Sequence, residues 1–380
     1  MYNCFDILYY EIRKHDKANA FIIFKTERYD VMMRTVLVTG GSGFFGQIMC
    51  RYLTEKGFRC INIDLVKSEY KHDNLISYQD DIRNKDKLDE LFSTYQFEAV
   101  FHFAAMLAHE KKMLKELWTS NVDGTQNIMD ACIKYNVNKI IFTSSNCLWG
   151  KNFDYPVTEE EPPEPVEIYG KSKWEGEKIL LSAPDKVNSV IFRCPTIMDE
   201  GRLGLLAILY EFVDDNKKLW LVGNGENRYQ FIYAKDLARA CELALDYNAS
   251  DVFNIGSDDV KSFNYTYQYV VDHSDSTSKL AHFPAGFAKT MMKLCYHLGI
   301  SPLGVYQYNM ISSTFVFDTT KIKTKLNWEP TMTNEEMLLK SYEYFHKNKE
   351  EIRSRNSDDV SAHNREADMG LAIRVLKFFS

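Results

Sequence analysis

The chain has 380 residues, enough to bury a substantial core and to form a large domain with a smaller second lobe. Hydrophobic residues make up 45% of the sequence and charged residues 26%, as in an ordinary globular protein. The formal net charge of −7 argues against a broad nucleic-acid-binding surface, because phosphate backbones are bound through an excess of lysine and arginine.

The eight cysteines are scattered and form no Cys-x-x-Cys pair, so we expect neither a metal site nor a dense disulfide framework. A reducing compartment suits such a pattern. The sequence has no run of eighteen apolar residues, and its N-terminus lacks the basic start and apolar stretch of a secretory signal. We therefore expect a cytoplasmic protein without a transmembrane segment.

The N-terminal residues 1–32 do not share the pattern of the rest of the chain, and we interpret them as an extension of unknown role. From residue 33, short β-branched runs alternate with helical patterns, at 34–39, 60–64, 99–103, 139–143 and 189–193. Parallel strands need helical crossovers between them. The alternation therefore predicts an α/β fold: a Rossmann-type doubly wound parallel sheet, with ligands at the carboxyl ends of the strands.

After residue 193 the alternation loosens, which predicts a smaller, interleaved C-terminal lobe. The predicted division is a Rossmann domain at 33–195 that also receives about 229–256, and a second lobe at 196–228 and 257–346. A helix at 291–298 is expected inside that lobe. Thr333 and Glu336 have the spacing of a capping box, so a helix should begin there.

The end of the chain differs in composition. Residues 347–368 are rich in charge and poor in large apolar groups, which predicts a mobile linker. Residues 369–380 place Met369, Ile373, Leu376 and Phe379 on one side of an amphipathic helix. We expect this helix to dock on the protein's own surface or on a dimer mate. A helix lying flat on a membrane surface is the alternative.

A glycine-rich segment comes directly after the first strand and opens a helix, with the spacing Gly40-x-x-Gly43-x-x-Gly46. This context predicts a dinucleotide-binding loop, because a pyrophosphate is stabilised by the free N–H groups and the dipole of a helix N-terminus. Asp64 ends the second strand, where a carboxylate accepts hydrogen bonds from the adenosine ribose. Its charge favours NAD over NADP. Asp81 and Ile82 are candidates for contact with the adenine.

Tyr169 and Lys173 are four residues apart, hence on one face of a helix. A phenol, with a pKa of about 10, is a poor base at neutral pH unless nearby cations stabilise its phenolate. With that help, Tyr169 could take a hydroxyl proton while hydride leaves the same carbon for NAD. Ser145, just after the strand predicted at 139–143, is placed to orient the reacting oxygen. His102, inside a strand, is expected to be a hydrogen-bonded core histidine.

Taken together, these motifs resemble the extended short-chain dehydrogenase/reductases. The motifs that carry the resemblance are the glycine segment, Val-Phe-His-Phe-Ala-Ala at 100–105, Asn-Val-Asp-Gly-Thr at 121–125, the Ser145 segment, Tyr169-x-x-x-Lys173 and Phe-Asn-Ile-Gly at 253–256. Within that group the chain resembles the NAD-dependent epimerase/dehydratase family, typified by UDP-glucose 4-epimerases, over about residues 34–346.

The resemblance implies roles for individual residues. Ser145, Tyr169 and Lys173 would form the catalytic triad. The cofactor site would include Gly40, Gly43, Phe44, Phe45, Gly46, Asp64, Asp81, Ile82, Phe103, Ala104, Ala105, Asn121, Thr143, Tyr169 and Lys173, with Asn121 supporting the active-site helix. The substrate site would include Ser145, Asn146, Thr196 and Arg228. The family also implies a homodimer.

The substrate is less well defined than the cofactor. Arg228 lies in a segment that resembles the one in which a family arginine binds the diphosphate of a nucleotide sugar. Asn146 and Cys147 replace the Asp-Glu pair of 4,6-dehydratases, which disfavours dehydration, and we expect Cys147 to be a buried structural thiol. Thr196 stands where sugar-nucleotide epimerases usually have asparagine.

The sequence thus favours an NAD-dependent epimerase of nucleotide sugars, acting at C4 through a transient keto sugar. One alternative is a net reductase or dehydrogenase of a hydroxy or keto substrate that uses NAD or NADP. A second is a non-catalytic NAD-binding interaction protein, since a fold alone does not confer chemistry.

Overall fold

The computed structural model describes residues 33–107, 113–284, 286, 290, 313–354, 370–378 and 380. The extension at 1–32 and the helix expected at 291–298 lie outside these residues, as do positions 355–368 of the predicted linker.

The elements of the Rossmann domain come first in the chain. They are β1 (Thr35–Thr39), α1 (Phe44–Glu55), β2 (Arg59–Asp64), β3 (Leu75–Gln79), α2 (Lys85–Thr94), β4 (Ala99–His102), α3 (Leu114–Trp118), a π-helical turn (Thr119–Asp123), α4 (Gly124–Lys134), β5 (Lys139–Ser145), a 3₁₀ turn (Asn146–Leu148), α5 (Ile168–Leu180) and β6 (Asn188–Cys194). The remaining elements are β7 (Thr196–Met198), α6 (Leu206–Asp214), β8 (Leu219–Val222), β9 (Phe231–Tyr233), α7 (Ala234–Leu243), a 3₁₀ turn (Ala244–Asp246), β10 (Asp251–Asn254), α8 (Phe263–Asp272), β11 (Leu280–Phe283), α9 (Thr320–Leu326), α10 (Asn334–Ser354) and α11 (Gly370–Phe378).

Seven of the strands form one parallel sheet in the order β10-β6-β5-β4-β1-β2-β3. The strand order reverses at β1, which pairs with β2 on one side and β4 on the other. In an open α/β sheet, the crevice at such a reversal is where ligands bind. The fold class predicted from the alternation of strands and helices is confirmed.

The central strands are apolar because both faces of the sheet are covered. In β1, Val36 and Val38 pack with Met49 of α1, while Leu37 points to the opposite face and packs with Ile128 of α4. All five side chains are fully buried. Burial on both faces explains the continuous β-branched runs that mark these strands in the sequence.

Two strands of the main sheet, β3 and β10, are absent from those runs, and they lie at its two ends. β3 lies at the sheet edge, pairs only with β2 among the described strands, and has half-buried or exposed residues throughout. An edge strand that is partly exposed to solvent does not need a continuous run of apolar residues, so its sequence gives little indication of a strand.

The second lobe packs around its own core, which includes Tyr210, Phe231, Phe263, Phe315 and Phe345. Two small parallel sheets lie here, one of β7 with β9 and one of β8 with β11. β10, which comes after β9 in the chain, returns to the main sheet beside β6. The lobe is therefore interleaved with the Rossmann domain.

The predicted capping box starts α10. Thr333 N–H donates to Glu336 Oε2 at 2.8 Å, and Glu336 N–H donates to Thr333 Oγ1 at 3.5 Å. The prediction of a linker from residue 347 is wrong for 347–354, because these residues are helical up to Ser354, with a kink at Asn348. Buried Ile352 packs in the second lobe, and Arg353 forms an ion pair with Glu211. These distant partners hold a charged segment in a helix.

α11 contacts the protein's own second lobe. Lys377 lies 2.7 Å from both Glu211 and Asp215, and Trp220 Nε1 donates to Ser380 Oγ at 2.7 Å. Ile373 packs against the lobe core, whereas Met369 and Phe379 lie outside the described residues. Among the helices that the structure describes, none combines the length and apolar composition needed to cross a bilayer.

A buried ion pair fixes α5 to β6. Arg193 Nη2 donates to Glu177 Oε2 at 2.8 Å, and the two side chains are 4% and 0% exposed. Arg193 also donates to the Glu159 carbonyl at 3.0 Å, and its guanidinium lies 5.3 Å from the Trp149 ring centroid. Since neither charge can reach water, separating α5 from β6 would leave an uncompensated charge in the interior.

Replacing Glu177 by Gln should therefore lower the free energy of unfolding by about 3 kcal/mol or more, because Arg193 keeps its buried charge without a counter-ion. Urea denaturation measures this loss. The matched control is Glu175→Gln, which removes the carboxylate of the exposed ion pair with Lys178 on the same helix and should cost less than about 1 kcal/mol. Similar losses in the two variants would contradict the assignment.

Candidate active site

The glycine segment that connects β1 to α1 makes a tight turn beside the residues that follow β4. Gly40 has φ of +72°, and a Cβ there would lie 2.6 Å from the Ala104 backbone nitrogen. A Cβ at Gly46 would lie 2.0 Å from the Gly40 carbonyl oxygen. Both positions therefore require glycine, the first for its backbone angle and the second for the close approach of helix and loop.

The first turn of α1 has no side-chain cap. Gly43 is extended before the helix, no described side chain caps it, and a Cβ at Gly43 would meet only the Gly40 oxygen at 3.2 Å. Phe44 and Phe45 begin the helix, and Phe45 packs edge-on against Phe103 at a ring distance of 4.8 Å. Uncapped N–H groups and the helix dipole make this turn suited to an anionic group such as a pyrophosphate.

Asp64 lies beside this loop, and its contact with an adenosine ribose stays a prediction. Its carboxylate accepts hydrogen bonds from the N–H groups of Ser42 at 2.9 Å and Val66 at 3.0 Å. Burial raises the pKa of Asp64, although these hydrogen bonds oppose the shift. Asn62, which our sequence analysis missed, accepts from the Gly41 N–H at 2.9 Å and stiffens the same loop. Asn62 could have been found from the sequence, because it lies on β2 two residues before Asp64.

Asp81 and Ile82 come after β3 and are held by protein contacts. Asp81 pairs with Arg83 through Nη2 at 2.5 Å and Nε at 2.9 Å, and this pairing holds the pKa of Asp81 below its usual value despite partial burial. Ile82 is buried against Gly124, because a Cβ added to Gly124 would lie only 2.5 Å from the Ile82 side chain. A contact of these residues with an adenine stays a prediction.

The segment after β4 contacts both the glycine loop and α5. Ala104 N–H donates to Thr39 Oγ1 at 3.2 Å, while Ala105 is exposed. Asn121, in the π-helical turn, accepts from the Met106 N–H at 2.7 Å and donates to Ser172 Oγ on α5 at 3.0 Å. Asn121 thus joins the cofactor side of the crevice to α5.

His102 is the hydrogen-bonded core histidine that we expected. Its Nδ1 lies 2.7 Å from Thr39 Oγ1 and its Nε2 lies 2.9 Å from Thr125 Oγ1. Burial lowers the pKa of His102 to about 3, so the ring is neutral. Because Thr125 Oγ1 donates to the Asn121 carbonyl at 2.6 Å, we assign the ring proton to Nε2.

Lys173 reaches from α5 to the end of β5. Its Nζ donates to the Thr143 carbonyl at 2.8 Å and lies 4.4 Å from the centroid of the Phe142 ring. Burial lowers the pKa of Lys173 to about 8, with Glu177 acting in the opposite direction. The predicted cofactor residue Thr143 is therefore engaged through its main chain.

Tyr169 lies in the first turn of α5, next to the turn after Ser145. Burial raises the pKa of Tyr169, and Cys147 and Cys194 add to the shift. Among the described residues, Arg202 acts in the opposite direction and lowers the pKa of Tyr169, without outweighing burial. The Lys173 ammonium donates to the Thr143 carbonyl. Its stabilisation of a phenolate at Tyr169, together with a nicotinamide ring, stays a prediction.

Ser145 and α5 are packed together. A Cβ at Gly170 would lie 2.1 Å from the Cys147 carbonyl oxygen, so the turn after Ser145 approaches the helix beside Tyr169 as closely as a glycine allows. Ser145 Oγ accepts from the Cys147 N–H at 3.1 Å. The Cys147 side chain is half-buried, so the prediction that it is buried is wrong. Asn146 is buried and donates to the Tyr229 hydroxyl at 2.6 Å, a contact with the second lobe.

The other predicted substrate residues lie in the second lobe. Thr196 begins β7 opposite Phe231 of β9 and is half-buried. Arg228 is exposed, and its main chain pairs with 314–315: its N–H donates to Thr314 Oγ1 at 3.1 Å, and its carbonyl accepts from the Phe315 N–H at 2.8 Å. Among the described residues, no three His, Cys, Asp or Glu side chains are grouped to hold a metal ion.

The burial of the Lys173 ammonium leads to a prediction of how the protein's stability depends on pH. Its folded pKa of about 8 lies below the ordinary value of 10.5, so folding disfavours its charged form. The resulting loss of stability is complete below about pH 8. It becomes smaller as the pH rises from about 8 toward 10.5, because in this range the unfolded chain binds more protons than the folded protein.

The wild-type protein should therefore gain thermal stability relative to Lys173→Met as the pH is raised from 7 to 10. Melting temperatures of the two proteins at both pH values measure the difference. Lys178→Met, which removes an exposed lysine from the same helix, should show no such trend. A constant difference between wild type and Lys173→Met would contradict the buried, charge-penalised state of this lysine.

Comparison with known proteins agrees with this geometry. Residues 36–256 match the model of the NAD dependent epimerase/dehydratase family. An uncharacterised protein of Sinorhizobium fredii is 32% identical over 322 residues, which cover 84% of this chain and 80% of that protein. The UDP-glucose 4-epimerase of Lactobacillus helveticus is 25% identical over 342 residues, covering 82% of this chain and 97% of that one.

Solved structures share the fold. The UDP-glucose 4-epimerase of Thermotoga maritima, determined with UDP-glucose, has a TM-score of 0.67 and 26% identity, covering 83% of this chain and 99% of that one. The Bordetella bronchiseptica enzyme WbmG, determined with NAD, has a TM-score of 0.68 at 18% identity, covering 83% of this chain and 94% of that one, and it speaks for the fold alone. The resemblance seen in the motifs is confirmed, and the chain belongs to the NAD dependent epimerase/dehydratase family.

Proposed function

We propose that the chain is an NAD-dependent epimerase of nucleotide sugars that acts at C4 of the sugar. The observation that carries the proposal is the convergence of Tyr169, Lys173 and the Ser145 turn at the carboxyl ends of the strands, beside the glycine loop. Relatives over most of the chain's length include a UDP-glucose 4-epimerase. The proposal joins this family membership to residues able to move a proton.

The residues present fit a dinucleotide. The loop at Gly40 and Gly46 leaves no room for a Cβ, while Gly43 and the uncapped first turn of α1 leave room for a phosphate. Asp64 would accept hydrogen bonds from the adenosine ribose, and its negative charge favours NAD over NADP. The side of the crevice formed by Phe103, Ala104 and Thr143 would hold the remainder of the cofactor. Bound NAD would supply the hydride acceptor and donor, together with a positively charged ring.

The chain's own residues would handle the proton. Tyr169 takes the proton from the C4 hydroxyl and returns it after the keto sugar has turned over, while Ser145 orients the same oxygen. Because burial raises the pKa of Tyr169, the phenolate needs cations close by. Lowering a phenol pKa from its ordinary value of about 10 to neutrality, by roughly three units, requires about 4 kcal/mol of differential interaction, and the shift caused by burial adds to this requirement. Lys173 and Arg202, with the cofactor ring, would supply it.

The second lobe would bind the nucleotide sugar. Arg228 is exposed, and its main chain is fixed to 314–315, so its guanidinium can pair with a diphosphate. Thr196 and Asn146 would contact the sugar from the two sides of the cleft. The Asn146-Cys147 pair offers no carboxylates for removal of water, which disfavours a dehydratase.

We further propose a reducing, cytoplasmic setting and a homodimer. Six cysteines of the described part of the chain are free thiols, five of them buried, as suits a reducing compartment. The homodimer rests on the family resemblance. The division of the chain into an N-terminal extension, a Rossmann domain and a substrate-binding lobe also stays a proposal.

The test is turnover by the purified protein with NAD and a panel of UDP-, GDP-, CDP- and dTDP-hexoses. We expect interconversion of a C4 epimer pair without net accumulation of reduced nicotinamide. Tyr169→Phe should lower kcat by about 10² to 10⁴-fold at unchanged NAD affinity, since it loses only the proton carrier. Tyr265→Phe, the same change at a tyrosine that is 50% exposed on α8, should have no effect.

Other outcomes would redirect the assignment. A stoichiometric rise in the absorbance of reduced nicotinamide would indicate a net dehydrogenase. Retention of NAD with no turnover of any hexose, and with equal behaviour of wild type and Tyr169→Phe, would indicate a non-catalytic NAD-binding protein.

A further inference from the structure

The loop at 199–204, between β7 and α6, is held firmly against α10. Lys340 of α10 lies 2.7 Å from Glu200 and 3.6 Å from Asp199. Ser341, the next residue, donates to the Arg202 carbonyl at 2.9 Å. Gly201, with φ of +79°, makes the turn that precedes Arg202. The backbone of Arg202 is therefore held in a fixed position in the second lobe.

The Arg202 side chain reaches the Rossmann domain. Its guanidinium carbon lies 5.6 Å from the centroid of the Phe44 ring, and Phe44 is the first residue of α1. Its charge also acts on Tyr169, whose pKa it lowers. Arg202 thus lies between the turn suited to phosphate and the reacting phenol, which is where the nicotinamide half of a dinucleotide must run.

The glycine loop itself is poor in positive charge. Residues 39–50 contain no lysine or arginine, so the loop offers a pyrophosphate only N–H groups and a helix dipole equivalent to about half a charge. A dinucleotide pyrophosphate carries two negative charges. The loop therefore leaves part of this charge unbalanced, and a guanidinium from outside the loop would pair with phosphate oxygens in a fixed fork geometry.

We propose that Arg202 binds the diphosphate of the bound dinucleotide from the second lobe, closing the crevice over the glycine loop. The proposal rests on the proposed function, in that NAD must bind there. It distinguishes Arg202 from Arg228: the first holds the cofactor's diphosphate, and the second holds that of the nucleotide sugar. Through Arg202, the second lobe also contributes to cofactor affinity.

Isothermal titration with NAD and, separately, with UDP tests the assignment. Arg202→Gln should weaken NAD binding by about ten- to a hundredfold, the value of a charge-assisted hydrogen bond, and leave UDP affinity within about twofold. Arg202→Lys keeps the charge without the fork and should bind NAD with intermediate affinity. Arg51→Gln, which removes an exposed arginine from α1, should bind NAD as the wild type does.

Each result decides one question. If wild type binds NAD and both Arg202 variants bind it equally well, the role of Arg202 is refuted and the proposed function stands. If Arg202→Gln loses UDP affinity and keeps NAD affinity, the arginine belongs to the substrate, which also refutes it. If wild type binds no NAD, the proposed function itself fails. The Arg202→Lys arm keeps the test valid should Arg202→Gln not fold.

Discussion

The docking of α5 onto the ends of β5 and β6 is the constraint on which the site depends. The Glu177–Arg193 pair has almost no contact with water, and the Lys173 ammonium is buried on the Thr143 carbonyl. A shift of the helix would separate two buried charges or leave a third without its acceptor, each costing several kcal/mol. The register of α5 is thereby fixed, and with it the place of Tyr169 in the helix's first turn.

A chain of buried hydrogen bonds extends this constraint to the glycine loop. It runs from Thr39 at the end of β1 through neutral His102 and Thr125 to the Asn121 carbonyl, and from the Asn121 amide through Ser172 to the Tyr169 carbonyl. The three hydroxyls and the His102 ring each accept one of these hydrogen bonds and donate another. Such satisfied networks specify a single arrangement, so the end of β1 before the glycine loop and the first turn of α5 are built as one unit.

Much of this could be predicted from the sequence, because local patterns carried the signal. Continuous apolar runs marked the strands buried on both faces, and the glycine spacing marked the loop that tolerates no Cβ at Gly40 or Gly46. Spacing alone also placed Tyr169 and Lys173 on one helix. Edge strand β3, being partly exposed, had no such pattern.

What could not be predicted depends on partners distant in the sequence. The charged residues near position 350 led us to predict a linker. In the structure, Lys349 and Arg353 lie in a helix and form ion pairs with acidic residues of α6. Arg202 could not be connected with Phe44 or Tyr169 by any local pattern. The spacing of Tyr169 and Lys173 also gave no sign that burial raises the pKa of Tyr169 or that the Lys173 ammonium donates to the Thr143 carbonyl.

The central claim is that a pyridine dinucleotide lies between the glycine loop and α5. The most direct measurement is mass spectrometry of the small molecules released when the purified full-length protein is denatured, before and after incubation with NAD. The account predicts close to one NAD per chain, accompanied by a nucleotide sugar when one is supplied. Protein that carries no pyridine dinucleotide and takes up none on incubation would contradict it.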